Sequence, residues 1–377
     1  MLLAAFAALW LALPAAVPSW EAPAAPPGAR FSLLAVGDSG HRAKLLAALT
    51  PQRAVGDALA ASHRHDPADL LVLLGDNFYP DGLEARELEP RIAENLVAPF
   101  CAFLELSAPL SARVEASCAV AADRRRPIPV RAVLGNHDWR APESPDLQQD
   151  ALPRYLANWR LQKGGAFVEE TPQGVSLVYF DSTHGRTREG VRALTDALAR
   201  SRGPWRIVAA HHPIDASAKG TLVREALAAA GAPVHLWLAG HEHNLQLGQP
   251  GRPGPALQVI AGGGSHATGL KYELPGRRVF RRSLGYARVD LVSEPAAASA
   301  AAASPAEPGD VPTVSAAPTG EELVVSLVAV RPYPAARWHA ARVAARFAVS
   351  VDGRVRILSQ APSDPPVREA GEDEPFE

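Results

Sequence analysis

Seven side chains of metal-ligating type sit where apolar runs of this 377-residue chain stop. FSLLAVGDSG delivers Asp38. LLVLLGDNFYPDG, from Leu70 to Gly82, delivers Asp76 and Tyr79, and VRAVLGNHD delivers Asn136 with His137 beside it. WRIVAAHH ends at His211, and VHLWLAGHEH supplies His241 and His243. Hard oxygen donors mixed with imidazoles suit iron, zinc or manganese and disfavour a thiolate-type structural site. Seven ligands exceed one tetrahedral sphere, whereas a bridging carboxylate lets two ions stand roughly 3.5–4 Å apart. His241 and His243 are separated by one residue directly after Gly240, where the chain leaves regular structure, so they reach different ions. A single Asp or His in a turn is ordinarily solvated or structural. Five apolar runs ending this way describe one metal-lined rim.

Those runs read as buried strands broken by glycine, a device that presents polar groups at the rim of a sheet. Phe31 to Val36 is the first strand. A helical stretch follows from His41 to about Ser62, restarted by Thr50 as N-cap with Pro51 at its first position. Leu70 to Leu74 is the second strand, and this order implies parallel pairing in an α/β core. Leu83 to about Ala122 is mostly helical in pattern, and Val130 to Leu134 is the third strand. Gly164 to Val168 and Val175 to Phe180 alternate as a hairpin turning at Thr171 to Gly174. Helices are expected from about Val191 to Arg200 and Thr221 to Ala230, before the strands ending at His211 and His241 respectively are complete. Ala256 to Ile260, Ser283 to Val292, Glu322 to Val330 and Arg346 to Ile357 read as further strands of a second sheet.

With 38 basic and 40 acidic residues the net charge is −2, which gives no signal for nucleic acid or an anionic membrane as partner. Cys101 and Cys118 are the only cysteines; either they pair in an oxidising compartment or they are two buried thiols. MLLAAFAALWLALPAAV has the shape of a secretory signal peptide and is short for a membrane span, so a secreted or periplasmic location is expected, with no stable span in the mature chain. Residues 1–27 are therefore read as signal peptide and Pro/Ala-rich leader, and 28–360 as one domain. Glu294 to Gly320 is too rich in Ala, Pro and Ser to build a core and reads as a disordered insertion; 361–377 reads as a disordered acidic tail.

GDSG, GDNFY, GNHD, VAAH and GHEH, in that order, resemble the five blocks of the calcineurin-like metallophosphoesterases. The Tyr of GDNFY and the Asp-x-Gly first block are similar to the purple acid phosphatase branch, and AGHEHNLQ to the small tartrate-resistant acid phosphatases. The resemblance implies a four-layer α-β-β-α sandwich with two mixed sheets. It implies two metal ions: Fe(III) on Asp38, Tyr79 and His243, a divalent Fe, Zn or Mn on Asn136, His211 and His241, and Asp76 bridging them. His137 matches a histidine that contacts phosphate and assists the leaving group. The activity implied is hydrolysis of a small phosphomonoester by a metal-activated hydroxide. Against Fe(III) and a divalent ion, the anions Asp38, Asp76, Tyr79 phenolate and hydroxide leave roughly +1, suited to a phosphate ester.

The chain also departs from that pattern. Lys219, in SAKG, stands near the place of a second phosphate-contacting histidine, and His212 stands where the animal sequences have Tyr; both are candidate substrate-binding groups. The two cysteines lie outside the family's disulfide pattern. His41, His184 and His266 fall near the expected rim without an assigned role. Competing readings are a phosphodiesterase or nucleotidase of the same fold and a non-catalytic exported domain that binds metal or phosphate.

Overall fold

Alternation along the strands divides their apolar side chains between two faces, and this division creates the layers. The computed structural model describes residues 24–42, 50–272, 274–293, 320–332 and 341–365. On β1 (Ala29–Val36), Leu34 and Val36 join one buried cluster while Phe31, Leu33 and Ala35 join another. β2 (Leu70–Leu73) divides in the same way, Leu71 and Leu73 against Leu70 and Val72. Strands buried on both faces need cover on both, which a second sheet and helices supply.

The first sheet continues with β3 (Val130–Ala132) and β4 (Trp159–Leu161), parallel to β2. The second is built on β5 (Ala166–Glu170), β6 (Val175–Phe180), β7 (Trp205–Ala210), β8 (Leu236–Ala239), β9 (Leu245–Gly248), β10 (Leu257–Ala261) and β11 (Arg277–Arg281). The chain then returns to the first sheet through β12 (Leu284–Ser293), β13 (Glu321–Val330), β14 (Ala341–Ser350) and β15 (Val355–Gln360). Among the described residues the sheet orders are β15-β14-β13-β12-β1-β2-β3-β4 and β11-β9-β10-β8-β7-β6-β5. Both are mixed. β1–β4 and β6–β7–β8–β10 run parallel, and the flanks are antiparallel.

Helix α1 (Pro51–His65) covers the outer face of the first sheet. Thr50 caps it, its hydroxyl accepting the Arg53 backbone N–H at 3.2 Å, with Pro51 following as expected. Helices α2 (Gly190–Arg200) and α3 (Ala218–Ala230) cover the outer face of the second, packing on Val178, Phe180, Val208 and Trp237. The inner faces meet through Leu33, Val72, Leu177, Ile207 and Leu238. The order is helix, sheet, sheet, helix.

Several expectations are corrected. The strands after Ser283 do not form a second sheet; β12 pairs antiparallel with β1 over Ala29 to Ala35 and extends the first, while only β10 joins the second. Arg346 to Ile357 is not one strand but two, because Asp352-Gly353, with Gly353 at φ +80°, turns the chain between β14 and β15. The segment after Leu83 is helical only through Leu88–Ile92, Ala93–Val97 and Ala98–Phe100, then breaks into single turns near Ser111, Glu115 and Ala122. There Cys101 and Cys118 form a disulfide that closes the segment on itself. The short strands β4, β9 and β11 carried too little pattern to be foreseen. The stretch read as a signal peptide, through residue 23, residues 294–319 of the expected insertion and the tail from 366 lie outside the described residues. No described helix is long and apolar enough to cross a membrane.

Candidate metal centre

Both sheets deliver their parallel strand ends to one rim, and glycine permits the approach. A Cβ on Gly37, after β1, would stand 2.9 Å from the Gly240 backbone after β8. A Cβ on Gly135, after β3, would stand 2.1 Å from Asp76 Oδ1. Side chains are excluded at these points so that the next residue in each loop can face inward.

Asp38, Asp76 and His241, each following such a glycine, have φ of 58°, 53° and 71°. Residues other than glycine held in this left-handed region cost on the order of 1–3 kcal/mol each and gather at functional sites. All three were among the proposed ligands.

The donors form two groups. In the first, the Tyr79 hydroxyl lies 2.9 Å from Asp38 Oδ1, 2.6 Å from Asp76 Oδ2 and 2.8 Å from His243 Nε2. In the second, Asn136 Oδ1 lies 3.1 Å from His211 Nε2 and 3.2 Å from His241 Nδ1, and those two nitrogens are 3.3 Å apart. Asp76 Oδ2 is also 3.5 Å from His211 Nε2, so this one carboxylate stands between the groups. The structure brings all seven predicted ligands together.

The second group carries the test of fit. His211 is fully buried, and its Nδ1 lies 2.9 Å from the Leu74 carbonyl, to which it donates. With Nδ1 donating, Nε2 faces the Asn136 oxygen at 3.1 Å and His241 Nδ1 at 3.3 Å. An Nε2 lone pair against the Asn136 oxygen at 3.1 Å is an acceptor pair, which a cation or a His241 N–H relieves. Asp38, Asp76 and His211 offer three ligand atoms within 4.8 Å of one another, as do His211, His212 and His241. The donor chemistry fits metal ions of the borderline class.

Electrostatics points the same way. Burial and the facing Asp38 and Asp76 carboxylates push the Tyr79 hydroxyl well above the ordinary phenol range. Burial works against a charged His243, but Asp38 outweighs it and holds the ring above its usual range. Burial also opposes the Asp76 charge; His211 and His137 reverse this, and its carboxyl ends below the usual range.

His137 is part of the same rim but faces outward. Its backbone N–H donates to Asp76 Oδ1 at 2.9 Å, while its Nδ1 lies 2.5 Å from the Pro80 carbonyl and its ring 4.3 Å from that of Tyr79. His212 is buried, with its ring 4.5 Å from that of His241 and its Nδ1 3.0 Å from Ser182 Oγ. Lys219 sits in the first turn of α3, partly buried, and its charge acts on His212. His41 stacks on Tyr79 with ring centroids 3.9 Å apart, and His266 stands 5.9 Å from His243. His184 packs edge-on against Trp139 at 4.1 Å.

Asp138 was not singled out in the sequence. Fully buried, it accepts backbone N–H groups of Gly135, Asn77 and Phe78 and the Gln148 amide, tying the loops after β2 and β3 together. Burial, with Asp76 nearby, raises its carboxyl to about 7. Its position immediately after His137 was the one available signal.

A family model described as calcineurin-like phosphoesterase matches residues 31–245. Among solved structures the chain is similar to GAP50, the anchor in the inner membrane complex of Plasmodium, with TM-score 0.54 and 15% identity over 80% of this chain and 85% of that one. It is similar to PhoD with TM-score 0.54 and 11% identity over 92% of this chain and 74% of that one. The purple acid phosphatase PPD1 from yellow lupin (Lupinus luteus) seeds aligns with TM-score 0.47 and 12% identity, over 83% of this chain and 53% of that one. No curated protein matches. At these identities the structural likenesses speak to the fold alone.

Proposed function

The chain belongs to the calcineurin-like phosphoesterase family, and on that premise we propose that it is a binuclear-metal phosphomonoesterase of purple acid phosphatase type. The family acts on phosphoric esters. The finer reading rests on one observation, the Tyr79 hydroxyl held among Asp38, Asp76 and His243. Asp38, Tyr79 and His243 would hold Fe(III), Asn136, His211 and His241 a divalent Fe, Zn or Mn, and Asp76 would serve both. Bound there, the ions supply Lewis-acid stabilisation of phosphoryl charge and acidify the attacking water.

The protein's own groups do the rest. Tyr79 cannot ionise by itself beside two carboxylates, so its phenolate is reserved for a trivalent partner. Leu74 fixes the His211 tautomer through its carbonyl, and Pro80 orients His137 in the same way. With Nδ1 on Pro80, His137 would use Nε2 to hydrogen-bond the ester and hand a proton to the departing alkoxide. Asp138 and Asp76 hold the loop that carries it.

The apolar amino-terminal stretch and the Cys101–Cys118 disulfide support an exported protein, since such bonds persist in oxidising compartments. The test is metal analysis of native protein with assays on an aryl phosphate monoester, the matching diester and nucleotides. Two equivalents of metal per chain and preferential monoester cleavage are expected. Diester preference would move the reading to a phosphodiesterase, and metal without any hydrolysis would leave a binding domain.

A further inference from the structure

Arg186 is only 5% exposed, and among the described residues its guanidinium makes one hydrogen bond, from Nε to the Ser182 carbonyl at 2.9 Å. Asp215 acts on it from beyond ion-pair distance. Its two terminal nitrogens have no protein partner among the described residues and keep a little exposure, so they are open to an anion. Burial draws its pKa down to about 10, which leaves it cationic at neutral pH.

Its surroundings lead to the metal centre. Ser182 Oγ accepts the His212 backbone N–H at 2.9 Å, and the His212 ring lies 4.5 Å from His241. The Arg186 charge acts on both His212 and His241, and that of Lys219 on His212. Two cations therefore act on the His212 and His241 side, while the Asp76 carboxylate stands between the two donor groups.

On the phosphoesterase reading, the phosphoryl group under attack would meet the metal ions and His137. A further buried guanidinium, whose planar fork matches phosphate oxygens, fits an additional anion. We propose that Arg186 is a specificity-determining residue that receives a second phosphate group of the substrate, so that the site prefers substrates with two phosphates over simple monoesters. This inference rests on the phosphoesterase reading above.

Calorimetric titration of metal-loaded protein, freed of excess metal, with inorganic phosphate and with pyrophosphate tests it. Wild type should bind pyrophosphate at least about tenfold more tightly than phosphate. Arg186→Gln keeps a donor for the Ser182 carbonyl but removes the charge. It should weaken pyrophosphate on the order of tenfold to a hundredfold while phosphate stays within about threefold. Arg186→Lys, which loses the fork, should also weaken pyrophosphate selectively. Equal affinity of wild type for the two anions overturns the proposal, even if the Gln variant does not fold; so does equal weakening of both anions in either variant. Hydrolysis is scored separately. A wild type that prefers pyrophosphate but cleaves no ester sustains this inference and ends the reading above.

Discussion

The Asp76 carboxylate oxygen Oδ2 lies 2.6 Å from the Tyr79 hydroxyl, and both groups are buried. A phenol held there keeps its proton until a strongly charged cation displaces it. Iron-loaded wild type should therefore show a visible phenolate-to-Fe(III) band, and Tyr79→Phe should lack it. The variant should hold less ferric iron yet hydrolyse an aryl phosphate with a divalent pair, because Asp76 remains. A colourless, active, iron-loaded wild type would place Tyr79 outside the ligand set.

His137 should act on chemistry rather than on metal loading. The group that touches Asp76 is its backbone N–H, which His137→Ala retains. We expect kcat to fall on the order of 10²- to 10⁴-fold with metal content unchanged. The loss should shrink for esters with acidic leaving groups, which need no proton. Loss of metal by the variant would contradict this role.

Gly135→Ala tests how closely the rim is packed. The new Cβ would meet Asp76 Oδ1 at 2.1 Å and the Asp76 backbone nitrogen at 2.4 Å, so the loop and its carboxylate must move. Metal stoichiometry and activity should fall together, while the far-UV circular dichroism stays that of the wild type. Full metal content in the variant would show that Asp76 has freedom the structure does not give it.

The interval between β12 and β13 should be replaceable. Ser293 and Glu321 are directly paired across the two strands, so a short turn can join them. Exchanging residues 294–320 for a four-residue Gly/Ser turn should leave activity intact and shift the melting temperature by less than about 5 °C. A larger drop would show that the replaced segment packs on the domain.

Stability should decline in acid through histidines remote from the candidate metal site. His235 is fully buried; its Nδ1 accepts the Arg206 backbone N–H and its Nε2 lies 2.8 Å from the Val351 carbonyl, a pattern that needs the neutral ring. Burial holds both His235 and His63 below the ordinary histidine range. Below about pH 6.5 the unfolded chain takes up protons that the folded chain refuses. Unfolding free energy should then fall by up to about 1.4 kcal/mol per pH unit per histidine. Urea denaturation from pH 7.5 to 5 measures this, and His235→Gln should show a shallower slope. An unchanged slope would remove His235 as a contributor.

The candidate ligand positions were legible because strands buried on both faces announce themselves as unbroken apolar runs, and a glycine marks where each stops. β9, LQLG, has four residues and no alternation long enough to separate it from a loop. The division of Arg346 to Ile357 was available in Asp352-Gly353 but was outweighed by the apolar residues on either side. Which sheet receives β12 depends on pairing with β1, some 250 residues earlier, which no local pattern encodes. Arg186 looked like one arginine among many, because only burial and the lack of a carboxylate distinguish it.

The left-handed backbone at Asp38, Asp76 and His241 has a consequence for how this protein could change. At each position glycine would relax the main chain, and at the two aspartates it would also remove carboxylates crowded against one another, a gain set against the His241 and His137 N–H bonds they accept. Selection for heat resistance alone, with no demand for turnover, should therefore erode these three positions early. The places where the fold is easiest to improve are those its chemistry cannot release, and thermostable descendants that keep activity must find their gains elsewhere.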